Sequence, residues 1–134
     1  MKTGANTFSK EERLCGQKLI DRLFSEGNRQ IAVFPVRLVW LLSDDADFEG
    51  VQILISAPKR NFHHAVDRNR IKRQIREFYR VSSAPLKDVV AQGGRSLSLA
   101  ILYTGHRLTD SAELHARLGS ATERLIEILN ELQK

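Results

Sequence analysis

Cysteine occurs once in this 134-residue chain, at Cys15. A single thiol excludes an internal disulfide and any zinc site built from cysteines. There are three prolines and eight glycines, and no Gly-rich tract of the kind that cradles a phosphate. No apolar run approaches the roughly 20 residues that a membrane-spanning helix requires. The opening residues, MKTGANTFSKEERL, lack the apolar core of a secretory signal. No Ser-His-Asp order and no setting for a catalytic cysteine is visible. His63 and His64 are adjacent rather than at the i, i+4 spacing of a helical metal pair, and no acidic cluster joins them. Asp44, Asp45, Asp47 and Glu49 read as an acidic turn. These absences lead us to expect a cytoplasmic protein with no metal site and no catalytic residues of its own.

Positive charge is what the chain has in excess, and it is concentrated. Between Lys59 and Arg80 stand eight bases (Lys59, Arg60, Arg68, Arg70, Lys72, Arg73, Arg76, Arg80) against two acids, Asp67 and Glu77. The net charge of that window is +6, while the whole chain is +5. The remainder is close to neutral. Such a concentration points to a polyanionic partner.

The length fits one domain spanning residues 1–134, with residues 1–8 as a flexible lead-in. Ser9 to Glu12 has the form of a capping box, and Leu19, Ile20, Leu23 and Phe24 follow at helical spacing, up to a stop at Gly27-Asn28. Ile31–Leu42 reads as a long strand with Pro35 marking an edge or a bulge, and a short extended piece precedes it around Gln30. Val51–Ala57 reads as a second strand, forming an antiparallel hairpin with the first across the acidic turn. A helix is expected from about Ala65 to Arg80. Residues 82–94, with Pro85 and Gly93-Gly94, read as an exit loop with room for a short helix. Ser96–Thr104 is the most apolar strand and belongs inside the sheet. Asp110-Ser111-Ala112-Glu113 is a second capping box, and the helix after it carries Leu114, Leu118, Ala121, Leu125, Ile128, Leu129 and Leu132 on one face. The class is α+β.

Projected at 100° per residue, Ile71, Ile75 and Phe78 fall on one side of the basic helix. Lys72, Arg73, Arg76 and Arg80 cluster on the other, joined by Asn69. Like charges one turn apart repel, so an array without acids implies an external counter-charge. Helix turns repeat every 5.4 Å, a spacing that lets successive cations meet successive phosphates. Arginine forks hold phosphate oxygens through paired bonds.

At Arg68-Asn69-Arg70-Ile71-Lys72-Arg73 and Arg76-Glu77 the chain resembles the bacterial ribonuclease P protein subunit. Supporting pieces are Arg13-Leu14, Leu23-Phe24 with Gly27, Ile53–Ser56 before Lys59-Arg60, Ala65-Val66 and the strand SLSLAILYTG. The resemblance covers roughly residues 8–132. It implies a four-stranded mixed sheet packed with three helices in the order α-β-β-β-α-β-α, with a left-handed βαβ crossover around the basic helix. It also implies a protein partner for a catalytic RNA that removes the 5′ leader from precursor tRNA, with Mg2+ bound mainly by the RNA. Lys59, Arg60, Arg68, Asn69, Arg70, Lys72, Arg73, Arg76 and Arg80 become the candidates for contact with the RNA subunit. Ile20, Phe24, Arg37 and Phe62 become the candidates for a cleft that takes the leader. Departures from the pattern, at Ile20, Pro58, His63 and Arg95, bear on that cleft. The alternative is a non-enzymatic structured-RNA or ribosome-binding module of similar fold. DNA and membrane partners are not expected, since nothing resembles a helix-turn-helix pair or an apolar anchor.

Overall fold

The computed structural model describes residues 29–43 and 50–132. The expected first helix with Ile20 and Phe24, Cys15, the lead-in and the acidic residues 44–49 lie outside them. The described elements are strands β1 (Arg29–Val33), β2 (Val36–Ser43) and β3 (Gly50–Ser56), helices α1 (Ala65–Ser82) and α2 (Ala84–Gly93), strand β4 (Ser96–Tyr103) and helix α3 (Ser111–Leu132). The strands form one sheet in the order β1-β2-β4-β3.

The run expected as one long strand is two. It divides at Phe34-Pro35, where the chain turns and β1 pairs back on β2, with Ala32 opposite Arg37. Proline cannot donate to a ladder, and here it occupies the turn rather than a bulge. The expected hairpin between 31–42 and 51–57 does not form. β4 lies between those strands, antiparallel to β2 and parallel to β3. The reason is burial. β4 is enclosed along almost its whole length, with a neighbouring strand on each edge. A central position leaves more apolar surface covered than a local hairpin with an exposed β4 edge.

Parallel pairing of β3 with β4 needs a long crossover, which α1 and α2 supply. α1 ends two residues beyond expectation, at Ser82. The exit loop is a ten-residue helix, α2. Pro85 sits in its first turn, where a missing N–H costs nothing. Leu86, Val89 and Val90 face inward. Gly94 ends α2 in the left-handed conformation at φ 67°, and its N–H donates to the Ala91 carbonyl at 3.2 Å. α3 starts as expected: the Asp110 carboxylate accepts the Ala112 N–H at 3.1 Å.

The three described helices cover one face of the sheet. Leu38, Trp40, Ile53, Leu97, Leu99 and Tyr103 from the strands meet Ile71, Ile75, Leu86, Leu114, Leu118 and Leu125 from the helices. Each fully buried aliphatic or aromatic side chain contributes on the order of 1.5–3 kcal/mol. The other face of the sheet carries a smaller cluster, Val39 and Ala100 with Leu41, Leu54 and Leu102, and at one end Arg37.

Candidate nucleic-acid interface

α1 is anchored by its inner side, and that anchoring aims its outer side. Ile71, Gln74, Ile75, Phe78 and Tyr79 are buried. The Gln74 side-chain amide donates to Ser111 Oγ at 2.6 Å, and His115 Nε2 bonds the Gln74 carbonyl at 3.2 Å. The imidazole of His115 also meets the Phe78 ring edge-on, with centroids 5.7 Å apart. These contacts lock the rotation of α1 against α3. Asn69, Arg70, Arg73, Arg76 and Arg80 are consequently exposed, and Lys72 is half-buried.

The cations of the basic stretch do not all have the same job. Arg68 turns back, and its Nη1 donates to the carbonyls of Phe62 at 2.8 Å and His63 at 3.2 Å. It thus ties the loop before α1 to the first turn of the helix. Arg80 forms a fork with Glu77, through Nε to Oε2 at 3.2 Å and Nη2 to Oε1 at 2.5 Å. That hydrogen-bonded pairing holds the Glu77 carboxyl below its ordinary range and raises Arg80 further. Among the described residues, Arg70, Lys72, Arg73 and Arg76 have no ion-pair partner. Arg70 and Arg73 also border a depression of about 600 Å³ between α1 and α3, with Glu77, Ser111 and His115.

A second basic site lies at the end of the sheet, and the chain builds it from separate segments. Arg37 comes from β2, Ser56 from the end of β3, and Pro58, Arg60 and Asn61 from the following turn. Leu102, Thr104 and His106 come from the end of β4 and the segment beyond it. Together they line a groove of about 410 Å³ that contains no carboxylate among the described residues. Hydrogen bonds knit the segments: Asn61 Nδ2 donates to the Gly105 carbonyl at 3.2 Å, and the Thr104 N–H to the Pro35 carbonyl at 2.7 Å. Tyr103 beneath donates its hydroxyl to the Arg107 carbonyl at 2.5 Å.

Of the expected cleft residues, Arg37 lines this groove. Phe62 lies in the core, 7% exposed, its ring 5.8 Å from that of Tyr103. Ile20 and Phe24 are outside the described residues. Lys59 and Arg60 are exposed on the turn closed by the Asn61 N–H and the Pro58 carbonyl. Sequence reasoning missed Asn61, Thr104 and His106. Their only signal is a polar residue just beyond a strand end, which is common to most loops.

Comparison with known proteins bears on what the two basic surfaces serve. The family model described as Ribonuclease P matches residues 8–125. The ribonuclease P protein component of Porphyromonas gingivalis is 34% identical over 110 residues, which cover 81% of this chain and 80% of that one. That of Chlorobium phaeobacteroides is 33% identical over 111 residues, covering 76% and 75%. The solved structure of the Staphylococcus aureus RNase P protein shares the fold, with a TM-score of 0.68 at 16% identity over 85% of this chain and 94% of the other. The mixed sheet with a cation-faced crossover helix is therefore that of a known kind of protein. The chain belongs to the ribonuclease P family, as a protein component of the endoribonuclease that processes tRNA 5′ ends together with an RNA subunit.

Proposed function

We propose that the two basic surfaces divide the work of the holoenzyme. The outer face of α1 binds the RNA subunit through Asn69, Arg70, Lys72, Arg73 and Arg76, with Lys59 beside it. The groove at the sheet end takes the single-stranded 5′ leader of precursor tRNA, with Arg37 and Arg60 as phosphate contacts. Arg68 acts indirectly, by holding the 62–63 carbonyls and so fixing where the loop leaves the helix. Arg80 contributes less than its neighbours, because Glu77 already occupies its fork. Phe62 and Tyr103 form the packed floor under the groove.

The observation that carries this reading is the row of cations on α1 that have no ion-pair partner among the described residues, held outward by a buried inner face. A row of like charges one turn apart is unfavourable by itself and becomes favourable when each cation displaces counterions from a phosphate. A groove lined by arginines suits a strand of varied sequence, since phosphates are common to all leaders.

Ribonuclease P is a metal-dependent ribonucleoprotein, and we propose Mg2+ as its ion. The described residues fit such an ion poorly. Both surfaces are cationic, and no group of three or more His, Cys, Asp or Glu is placed to hold one. The ion is better matched to RNA phosphates, and the protein's part is to bring substrate and RNA together.

The test is reconstitution with a bacterial ribonuclease P RNA at low Mg2+. The expected result is faster cleavage of precursor tRNA and tighter substrate binding than with the RNA alone. No gain in either would overturn the reading. Binding of structured RNA without any gain in maturation would favour a non-enzymatic RNA-binding module instead.

A further inference from the structure

Phe34 is 71% exposed, at the turn between β1 and β2. One exposed apolar side chain is ordinary, but three features set this one apart. First, its turn is held in place. The Pro35 carbonyl accepts both the N–H of Thr104, at 2.7 Å, and its hydroxyl, at 3.2 Å. Gly105 packs against the same proline so closely that a Cβ there would stand 3.1 Å from Pro35 Cβ. Second, the turn adjoins the groove. Thr104, which anchors it, also lines the groove, and so does Arg37 near the start of β2. Third, the other large apolar side chains left exposed among the described residues, Val66, Val81, Leu108 and Leu132, are aliphatic. Phe34 is the aromatic one, and its turn adjoins a groove with two arginines and no carboxylate among the described residues.

We infer that Phe34 is a stacking platform for a base of single-stranded RNA whose phosphates run along Arg37, Arg60 and His106. Cations along a backbone track, with an aromatic face beside it, are the combination that holds single-stranded nucleic acid without reading its sequence. A ring offers its face to any base, and a fixed turn spends little ordering entropy on the contact. The groove favours RNA over a protein partner, because an apolar protein surface would leave two arginines without counter-charge. The inference rests on the reading that the groove takes the leader, and it extends that track to the β1–β2 turn.

The experiment uses the full chain reconstituted with the RNA subunit, and compares binding of precursor tRNA with binding of mature tRNA lacking a leader. Phe34→Ala should weaken precursor binding about five- to tenfold, the lower end of what one base–aromatic stack supplies, and leave mature tRNA unchanged. Phe34→Trp should restore the affinity, and its added emission should be quenched by precursor but not by mature tRNA. An unchanged preference for precursor in Phe34→Ala, or equal quenching by both RNAs, overturns the inference while leaving the groove reading intact. Wild-type protein that does not distinguish the two tRNAs at all overturns both. Loss of self-association of the free protein in Phe34→Ala, with RNA binding untouched, would assign the residue to a contact between copies and also overturn the inference.

Discussion

The outer face of α1 and the groove at the sheet end are both basic, but they are built in opposite ways. On α1 the cations come from one continuous segment, and helical geometry alone sorts them to one side. In the groove, Arg37, Arg60 and His106 come from three separate segments, and the sheet brings them together. The α1 face is dense and convex, suited to the phosphates of a folded RNA. The groove is sparse and concave, with the exposed Phe34 on the adjoining β1–β2 turn, and suited to one flexible strand. On the proposed reading, charge of one sign serves two purposes, and shape separates them.

The largest expected effect is on the α1 face. Arg73→Ala with Arg76→Ala should weaken RNA-subunit binding tenfold or more and reduce its salt slope by about two, since each lost phosphate contact removes nearly one released counterion. A melting temperature within a degree or two of wild type would show that the loss is one of contact rather than folding. Arg68→Ala should behave in the opposite way, because Arg68 holds two carbonyls of its own chain. It should cost about 1–3 kcal/mol of stability in denaturant unfolding, with little change in salt slope. If it lowers the salt slope as much as Arg73→Ala without destabilising, Arg68 belongs with the contact residues.

Arg37→Ala sharpens the comparison from the other side. It should lower affinity for precursor tRNA about threefold to tenfold, the net scale of one ordinary hydrogen bond, and leave affinity for the RNA subunit unchanged. The smallest effect is expected at Glu77. Glu77→Gln releases the Arg80 fork, so RNA-subunit binding should tighten by less than threefold, as exposed ion pairs are weak competitors. The same release follows from acid. The Glu77 carboxyl titrates below its usual 4.5 in the folded protein, so the pairing is complete above that value and is lost as pH falls through the lowered one. A difference between wild type and Glu77→Gln that persists above pH 5 and vanishes in acid checks this assignment.

The contrast between the two surfaces also explains what the sequence made legible. The helix from Ala65, its inner residues Ile71, Ile75 and Phe78, and the central place of β4 follow from periodicity and from one apolar run. The Asp110 cap follows from a local pattern. The pairing of strands does not. Val51–Ala57 looks like a hairpin partner for Ile31–Leu42 because they adjoin in sequence, and only the demand of β4 for two neighbours separates them. α2 was masked by Pro85 and two glycines, though proline at a helix start and glycine at its end delimit a helix as well as a loop. The roles of Arg68 and Arg80 were hidden for a similar reason: composition counts both as free cations, whereas each has a partner within the chain. The groove was least visible, since no sequence spacing joins Arg37, Arg60 and His106.

The central claim is that assembly with the RNA and recognition of the leader sit on separate surfaces. The most direct measurement is the ratio of precursor to mature tRNA affinity, taken alongside the affinity of the protein for the RNA subunit, in the Arg73→Ala/Arg76→Ala and Arg37→Ala proteins. The account predicts that the first variant loses RNA-subunit affinity and keeps the tRNA ratio, while the second keeps RNA-subunit affinity and loses the ratio. Parallel loss of both quantities in both variants would contradict it.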